Sequence, residues 1–397
     1  MNNKLFKKIK FSIYILVAFF AITGCEKEEA VEKPTGAPLV KYVRVTDPQA
    51  SDSLLTGAFM GSLIAIIGDN LADTKEIWFN DQKALVQPNY VTNKSILVNV
   101  PSTVPTVVTD KMKMIFKDGS ELLYNFKVNV PAPIISKIKA EFVAAGDILE
   151  LEGDFFFNPK LIFTGGATGE VVSSEKTKMQ VRVPAGAQPG PITVQTVFGK
   201  ATSKFLFRDN RNIILNFDDK MCESWTAAYS SNALLPGVKP VDGVYAYFKN
   251  DAHGAWSWQN GMTMQYWAPR GRGNVPLARG NVNDLVFKME VNVPVEWKDV
   301  RMEIFPAPFG ESEGRGDERS AIYRWAPFAN GPYKTDGWVT IEIPLTAFVH
   351  NTANDNPTRK IEDISSLANF TMMSFGPASS ATPVYIAFDN LRIVPKL

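Results

Sequence analysis

The chain has 397 residues, a net charge of +1 and an ordinary hydrophobic content of 45%. So neutral a balance gives no electrostatic case for nucleic acid or for a strongly acidic partner. With only two cysteines, Cys25 and Cys222, and two histidines, His253 and His350, stability has to come from packed cores rather than a disulfide framework, and histidine chemistry has few sources.

Lys4, Lys7, Lys8 and Lys10 precede an apolar run over residues 11–22, too short to span a bilayer as a stable helix, and the pattern reads as a signal peptide over residues 1–24. The run ends in Ile22-Thr23-Gly24-Cys25, which resembles a bacterial lipobox and implies that Cys25 becomes the lipidated first residue of the mature chain. Several acyl chains on one cysteine anchor stably, because each buried methylene contributes roughly 0.8 kcal/mol. Glu26-Lys27-Glu28-Glu29 follows within a linker over residues 25–37 and resembles the acidic surface-export signal of Bacteroidetes lipoproteins. With Cys25 taken by lipid, Cys222 has no intrachain partner and reads as a small buried apolar residue.

Two segments about 84 residues apart repeat. Gly68-Asp69-Asn70-Leu71 answers Gly153-Asp154-Phe155-Phe156, residues 77–80 answer residues 161–164, and Val100-Pro101 answers Val183-Pro184. Residues 62–67 and 147–152 are apolar-rich runs closed by a Gly-Asp turn signal. Residues 95–100 and 178–183 alternate apolar and polar positions, as half-buried strands do. Pro189-Gly190-Pro191 reads as a turn before a last strand at 192–197. Short alternating strands of this kind predict antiparallel sandwiches. Residues 38–208, above all 146–156 and 181–194, resemble the IPT/TIG immunoglobulin-like family, which implies two Ig-like domains, 38–131 and 132–208, acting as spacers. Pro131-Ala132-Pro133 stiffens the joint between them. Trp78 reads as packing, since Ile162 fills its place in the other copy.

From residue 209 to 397 the chain again reads as all-β. It holds seven of the eight tryptophans: Trp225, Trp256, Trp258, Trp267, Trp297, Trp325 and Trp338. Residues 284–293 place Leu285, Phe287, Met289, Val291 and Val293 on one face, with Lys288, Glu290 and Asn292 on a face expected to be wet. Residues 337–348 and 384–393 resemble the closing strands of galactose-binding-like jelly rolls, with residues 212–219 as the opening strand, and such a domain pairs its first strand with its last. Rigid indole rings with a polar edge suit sugars, whose C–H faces stack while their hydroxyls stay hydrated.

Parity sorts the rings. In residues 261–267, Met262, Met264 and Tyr266 share one face, while Thr263, Gln265 and Trp267 share the other, so Trp267 projects from the hydrated side and is the leading platform residue. Tyr266 joins it if the strand ends or bulges before Pro269. Trp256 shares a face with Trp258; Trp225 lies in an early loop; Trp325 follows Arg324, a candidate donor to sugar hydroxyls. Trp338 reads as part of the fold. Oxygen ligands for a structural Ca²⁺ would come from Asp218, Asp219 and Asp389; no other cofactor is expected.

Lipobox, export signal, Ig-like repeats and a tryptophan-rich jelly roll, in that order, resemble a surface glycan-binding protein of a Bacteroidetes polysaccharide utilisation locus, of the non-SusD-like type with a C-terminal xyloglucan-binding domain. That resemblance implies a non-catalytic, outer-membrane lipoprotein facing the cell exterior. It would capture xyloglucan or a related β-glucan or hemicellulose for a neighbouring endo-glycanase and a SusCD-like importer. Two other readings stay open. A jelly-roll glycoside hydrolase needs a carboxylate pair; Glu311, Glu313, Asp317 and Glu318 sit in a Gly-rich charged loop, and Glu290 and Glu342 on strand faces expected to be solvated. An adhesin for a protein partner would use the same aromatic surface.

Overall fold

The computed structural model describes residues 34–50, 52–219, 235–254, 263–266, 275–308, 321–351, 357–375 and 382–397. It is all-β: twenty-six strands and five three-residue 3-10 turns are described. The chain forms two compact units, Met1–Val130 and Pro131–Leu397.

In the first unit a sheet of Leu54–Leu55, Leu39–Val45, Leu63–Asp69 and Ser95–Asn99 faces one of Gln82–Lys83, Thr74–Phe79, Lys111–Phe116 and Glu121–Asn125. A core including Ile64, Ile66, Ile77, Phe79, Met112 and Phe126 lies between them. The second unit opens with a sandwich of the same kind, built on Ile134–Ile138, Ile148–Asp154 and Lys178–Arg182 and filled by Leu149, Leu151, Phe163, Val181 and Phe207.

The repeat read from sequence is geometric in detail. Gly68 and Gly153 are each the penultimate residue of a strand, where an added Cβ would lie 2.0 Å from the Leu39 carbonyl oxygen and 1.9 Å from that of Ile134. No other residue fits so close a backbone approach. Asn70 and Phe155 then take left-handed φ of 59° and 58°, turning Leu71 and Phe156 into their cores. Gly-Asp thus ends the strand, and the turn falls one residue later than the sequence suggests. Pro189-Gly190-Pro191 does not turn the chain. It lies inside the strand Gln188–Thr196, where Gly190, at φ 135°, bridges to Phe207.

The rest of the second unit is a jelly-roll sandwich. One sheet orders Ile213–Leu215, Thr382–Pro395, Leu285–Asn292 and Val339–Pro344, with Ala246–His253 also paired to Thr382–Pro395. The other orders Thr263–Tyr266, Leu367–Phe375, Arg301–Pro308 and Tyr323–Trp325. Opening and closing strands pair, Ile213 opposite Arg392. Phe287, Met289, Val291, Trp297, Met302, Ile304, Phe370, Met372 and Phe388 lie among the residues packed between the sheets.

Leu285–Asn292 corrects the sequence reading most sharply. All eight of its residues are buried, so the face carrying Lys288, Glu290 and Asn292 is not wet. The preceding Ig-like sandwich lies against it, and the contact is ionic. Lys288 Nζ lies 2.7 Å from Glu141 Oε1, Arg392 Nη2 lies 2.6 Å from Glu141 Oε2 and 3.0 Å from Glu290 Oε1. Thr340 Oγ1 donates to Glu290 at 2.7 Å and accepts the Glu141 N–H at 2.6 Å. The Arg392 guanidinium lies 5.0 Å from the centroid of the Phe142 ring. Half-exposed Glu342 also meets Lys288, at 2.6 Å, so two cations face three carboxylates, and burial pushes the Glu290 pKa up. The adjacent Glu141 and Glu290 carboxylates hold the Arg392 pKa above its ordinary value against the opposing effect of burial.

Replacing one member of such a cluster strands its partners without solvent. Arg392→Ala is expected to destabilise the second unit by roughly 3–5 kcal/mol, read as an earlier urea transition. A loss under about 1 kcal/mol would show that solvent or rearrangement relieves Glu141 and Glu290.

Candidate glycan-binding face

The sheet Thr263–Tyr266, Leu367–Phe375, Arg301–Pro308, Tyr323–Trp325 has a core face and an outer face, and strand parity decides what each shows. Met302, Ile304, Phe370 and Met372 point inward. Arg301, Glu303 and Phe305, with Thr371 and Met373, occupy the other side, since Glu303 pairs with Met373 and Phe305 with Thr371. In backbone register, Gln265 pairs with Thr371 and Thr263 with Met373.

At the centre of this face sits an ion triad. Glu303 Oε1 lies 2.6 Å from Arg301 Nε and 3.0 Å from Arg324 Nε, and an Arg324 terminal nitrogen donates to the Asn351 carbonyl at 2.9 Å. Asn369 donates to the Pro308 carbonyl at 3.0 Å. These groups are satisfied within the protein: Glu303, Asn369 and Thr371 are buried, and Phe305 and Met373 form a small apolar cluster with Ile322 on the same side. Among the strand positions described on this face Glu303 is the acidic one, and both of its neighbours in the triad are arginines. The carboxylate pair that glycoside hydrolysis needs is therefore not formed by these positions. Glu290, offered from sequence as half of such a pair, is fully buried in the ionic cluster, while Glu342 is half exposed and paired to Lys288 at 2.6 Å.

The sequence-derived candidates fall into three groups. Trp225, Trp256 and Trp267 lie outside the described residues, as do Cys25, Cys222 and the loop carrying Glu311, Glu313, Asp317 and Glu318. The backbone of Tyr266 is described, paired with Phe370, and Met264, expected on the core side, is fully buried. Trp325 is a correction. It is 5% exposed and packs edge-to-face on Trp297, ring centroids 4.9 Å apart, because it neighbours Arg324 on a strand and so points to the opposite, core side. Arg324 does reach the outer face, but its guanidinium is already committed to Glu303 and Asn351. Trp338 belongs to the fold, donating its indole N–H to the Lys239 carbonyl at 2.6 Å and packing on Tyr245.

The network that joins Arg301 and Glu303 to Arg324 was not read from the sequence. The alternation of Arg301 and Glu303 with Met302 and Ile304 was the available signal.

Asp218, Asp219 and Asp389 do not assemble as a metal site. Among the described residues no three acidic, histidine or cysteine side chains converge on one point. Asp218 instead accepts the Val244 N–H at 2.8 Å and Asp219 the Asn216 amide at 2.6 Å. Asp389 is fully buried with one oxygen unpaired. Burial above all, then the nearby Asp242 charge, pushes its pKa up to about 9.

Residues 207–395 match the family described as surface glycan-binding protein B xyloglucan binding domain. An IPT/TIG domain-containing protein of Bacteroides ovatus is 21% identical over 96% of each chain. Surface glycan-binding protein PbSGBP-B of Prevotella bryantii shares the fold, with a TM-score of 0.68 and 24% identity over 92% of this chain and 100% of that one. SGBP-B from a complex xyloglucan utilisation locus in Bacteroides uniformis gives a TM-score of 0.52 at 18% identity, over 91% and 100% respectively.

A carboxyl group neutral in the fold but ionised when unfolded favours the folded state less as pH rises. For Asp389 that contribution is complete below the unfolded value of 3.8 and is lost as pH climbs through about 9. Asp389→Asn keeps the acceptor for the Asn390 N–H, so its melting temperature relative to wild type is expected to climb between pH 5 and 9. A difference independent of pH would show that Asp389 is ionised in the fold.

Proposed function

We propose that this protein is an outer-membrane lipoprotein, anchored through Cys25 and facing the cell exterior. It captures xyloglucan or a related β-glucan or hemicellulose without cleaving it. The captured chain would then pass to a neighbouring endo-glycanase and a SusCD-like importer. The observation that carries the reading is the match of residues 207–395 to a xyloglucan binding domain family, in a jelly-roll sandwich region that holds seven of the eight tryptophans.

Trp267 follows the strand Thr263–Tyr266 directly in sequence and is the ring proposed to lead the platform. Its indole would take the C–H face of a sugar while the hydroxyls stay hydrated. Tyr266, Trp256 and Trp225 are the rings proposed to extend the platform along a polymer. Trp325 is not among them.

Affinity electrophoresis against xyloglucan, mixed-linkage β-glucan and mannan tests this. The wild-type chain should be retarded by a β-glucan or hemicellulose without releasing reducing sugar, and Trp267→Ala should weaken retardation at least about tenfold, some 1.4 kcal/mol. Full retardation of Trp267→Ala would remove Trp267 from the platform, and sugar release would return the hydrolase reading. For the anchor, Cys25→Ser should move the protein from the membrane to the soluble fraction; unchanged membrane association would contradict lipidation at Cys25.

A further inference from the structure

The ionic contact between the second Ig-like sandwich and the jelly roll leaves a groove along its edge. Two clefts of about 420 and 350 Å³ share Lys139 and Glu150 as a common wall, so they run on from one another. Tyr333 lines the first and Trp338 the second, both rings half-buried. The groove thus has an aromatic ring in each half. Each cleft is within the roughly 300–1,000 Å³ of ordinary ligand pockets, which favour domain junctions.

Its chemistry selects among ligands. Four lysines line the two clefts, Lys137, Lys139, Lys178 and Lys239, and five carboxylates oppose them. Lys139 Nζ lies 2.5 Å from Glu150 and 3.6 Å from the fully exposed Asp336. Charges so nearly matched present little net field, which argues against a phosphate, an acidic glycan or a cation. They do present acceptors and donors at short intervals. Half-buried Val339 and Ile341 add apolar surface beside Tyr333. Mixed hydrogen-bonding groups between rings suit a neutral, hydroxyl-rich chain.

The walls are also fixed before any ligand arrives. Thr340, which lines the first cleft, donates its N–H to the Lys139 carbonyl at 2.9 Å and its hydroxyl to Glu290, tying the groove to the buried cluster beneath. A groove that need not be ordered loses less affinity on binding.

We propose that this groove is a second glycan site, separate from the outer face of the jelly roll, which takes a neutral oligosaccharide segment between Tyr333 and Trp338. It extends the capture function proposed above and makes the second Ig-like domain part of the binding apparatus rather than a spacer.

Isothermal titration of the full mature chain with a xyloglucan-derived heptasaccharide, and with its mixed-linkage glucan counterpart, tests both sites separately. Asp147 and Asp336 line the groove and are exposed, so Asp147→Ala/Asp336→Ala should leave the melting temperature unchanged. Expected are two sites in the wild type. Trp267→Ala should abolish the tighter site, and the double variant should weaken the other tenfold or more. A single site, lost in Trp267→Ala and indifferent to the double variant, overturns the groove and leaves the face intact. A single site lost only in the double variant overturns the face and keeps the groove. No binding of either sugar overturns both.

Discussion

Four buried charges govern how this protein presents its binding domain: Glu141 from the second Ig-like sandwich, and Lys288, Glu290 and Arg392 from the jelly roll. Ion pairs of this kind add little net stability compared with well-packed apolar groups, since desolvation cancels most of the attraction. Their effect is directional. Apolar surfaces can slide against one another with small loss, whereas Glu141 satisfies Lys288 and Arg392 together at one relative orientation only. Thr340 reinforces that choice by bonding to both Glu290 and Glu141. The consequence is a single compact unit from Pro131 to Leu397, in which the last Ig-like domain and the jelly roll are held as one piece.

That constraint leaves the two sheets of the jelly roll unequal. The one bearing Leu285–Asn292 spends its outer face on the neighbouring sandwich. The other, bearing Arg301–Pro308, keeps the Glu303 triad on its outer face. One sheet thus serves for mounting, and the described strand positions of the other are themselves largely buried. A hydrolase would need opposed carboxylates instead, and the strand positions of this face place Glu303 between two arginines.

Much of the fold was legible in local pattern because its causes are local. The Gly-Asp pairs of the repeat mark places where backbone meets backbone too closely for any Cβ, and the alternation in residues 284–293 assigned the core face of that strand correctly. Pairing of the opening and closing strands followed from resemblance to jelly rolls. The other face of Leu285–Asn292 was misread because a polar alternation looks the same whether water or a second domain lies against it. Only Glu141, 147 residues earlier in the chain, distinguishes them. Trp325 was misassigned for a related reason: a three-residue strand, Tyr323–Trp325, is too short for parity to show which side is core. The Glu303 triad draws on two strands and was not visible in either alone.

Hydrogen–deuterium exchange of the full chain with and without a xyloglucan oligosaccharide tests the central claim most directly, because it reports on every strand at once. Added protection is expected in Thr263–Tyr266, Arg301–Pro308 and Leu367–Phe375, the sheet whose first strand leads into Trp267, with Leu285–Asn292 already protected without sugar by its ionic mounting. Protection confined to the first unit, Met1–Val130, would contradict the account and move glycan capture to a different part of the molecule.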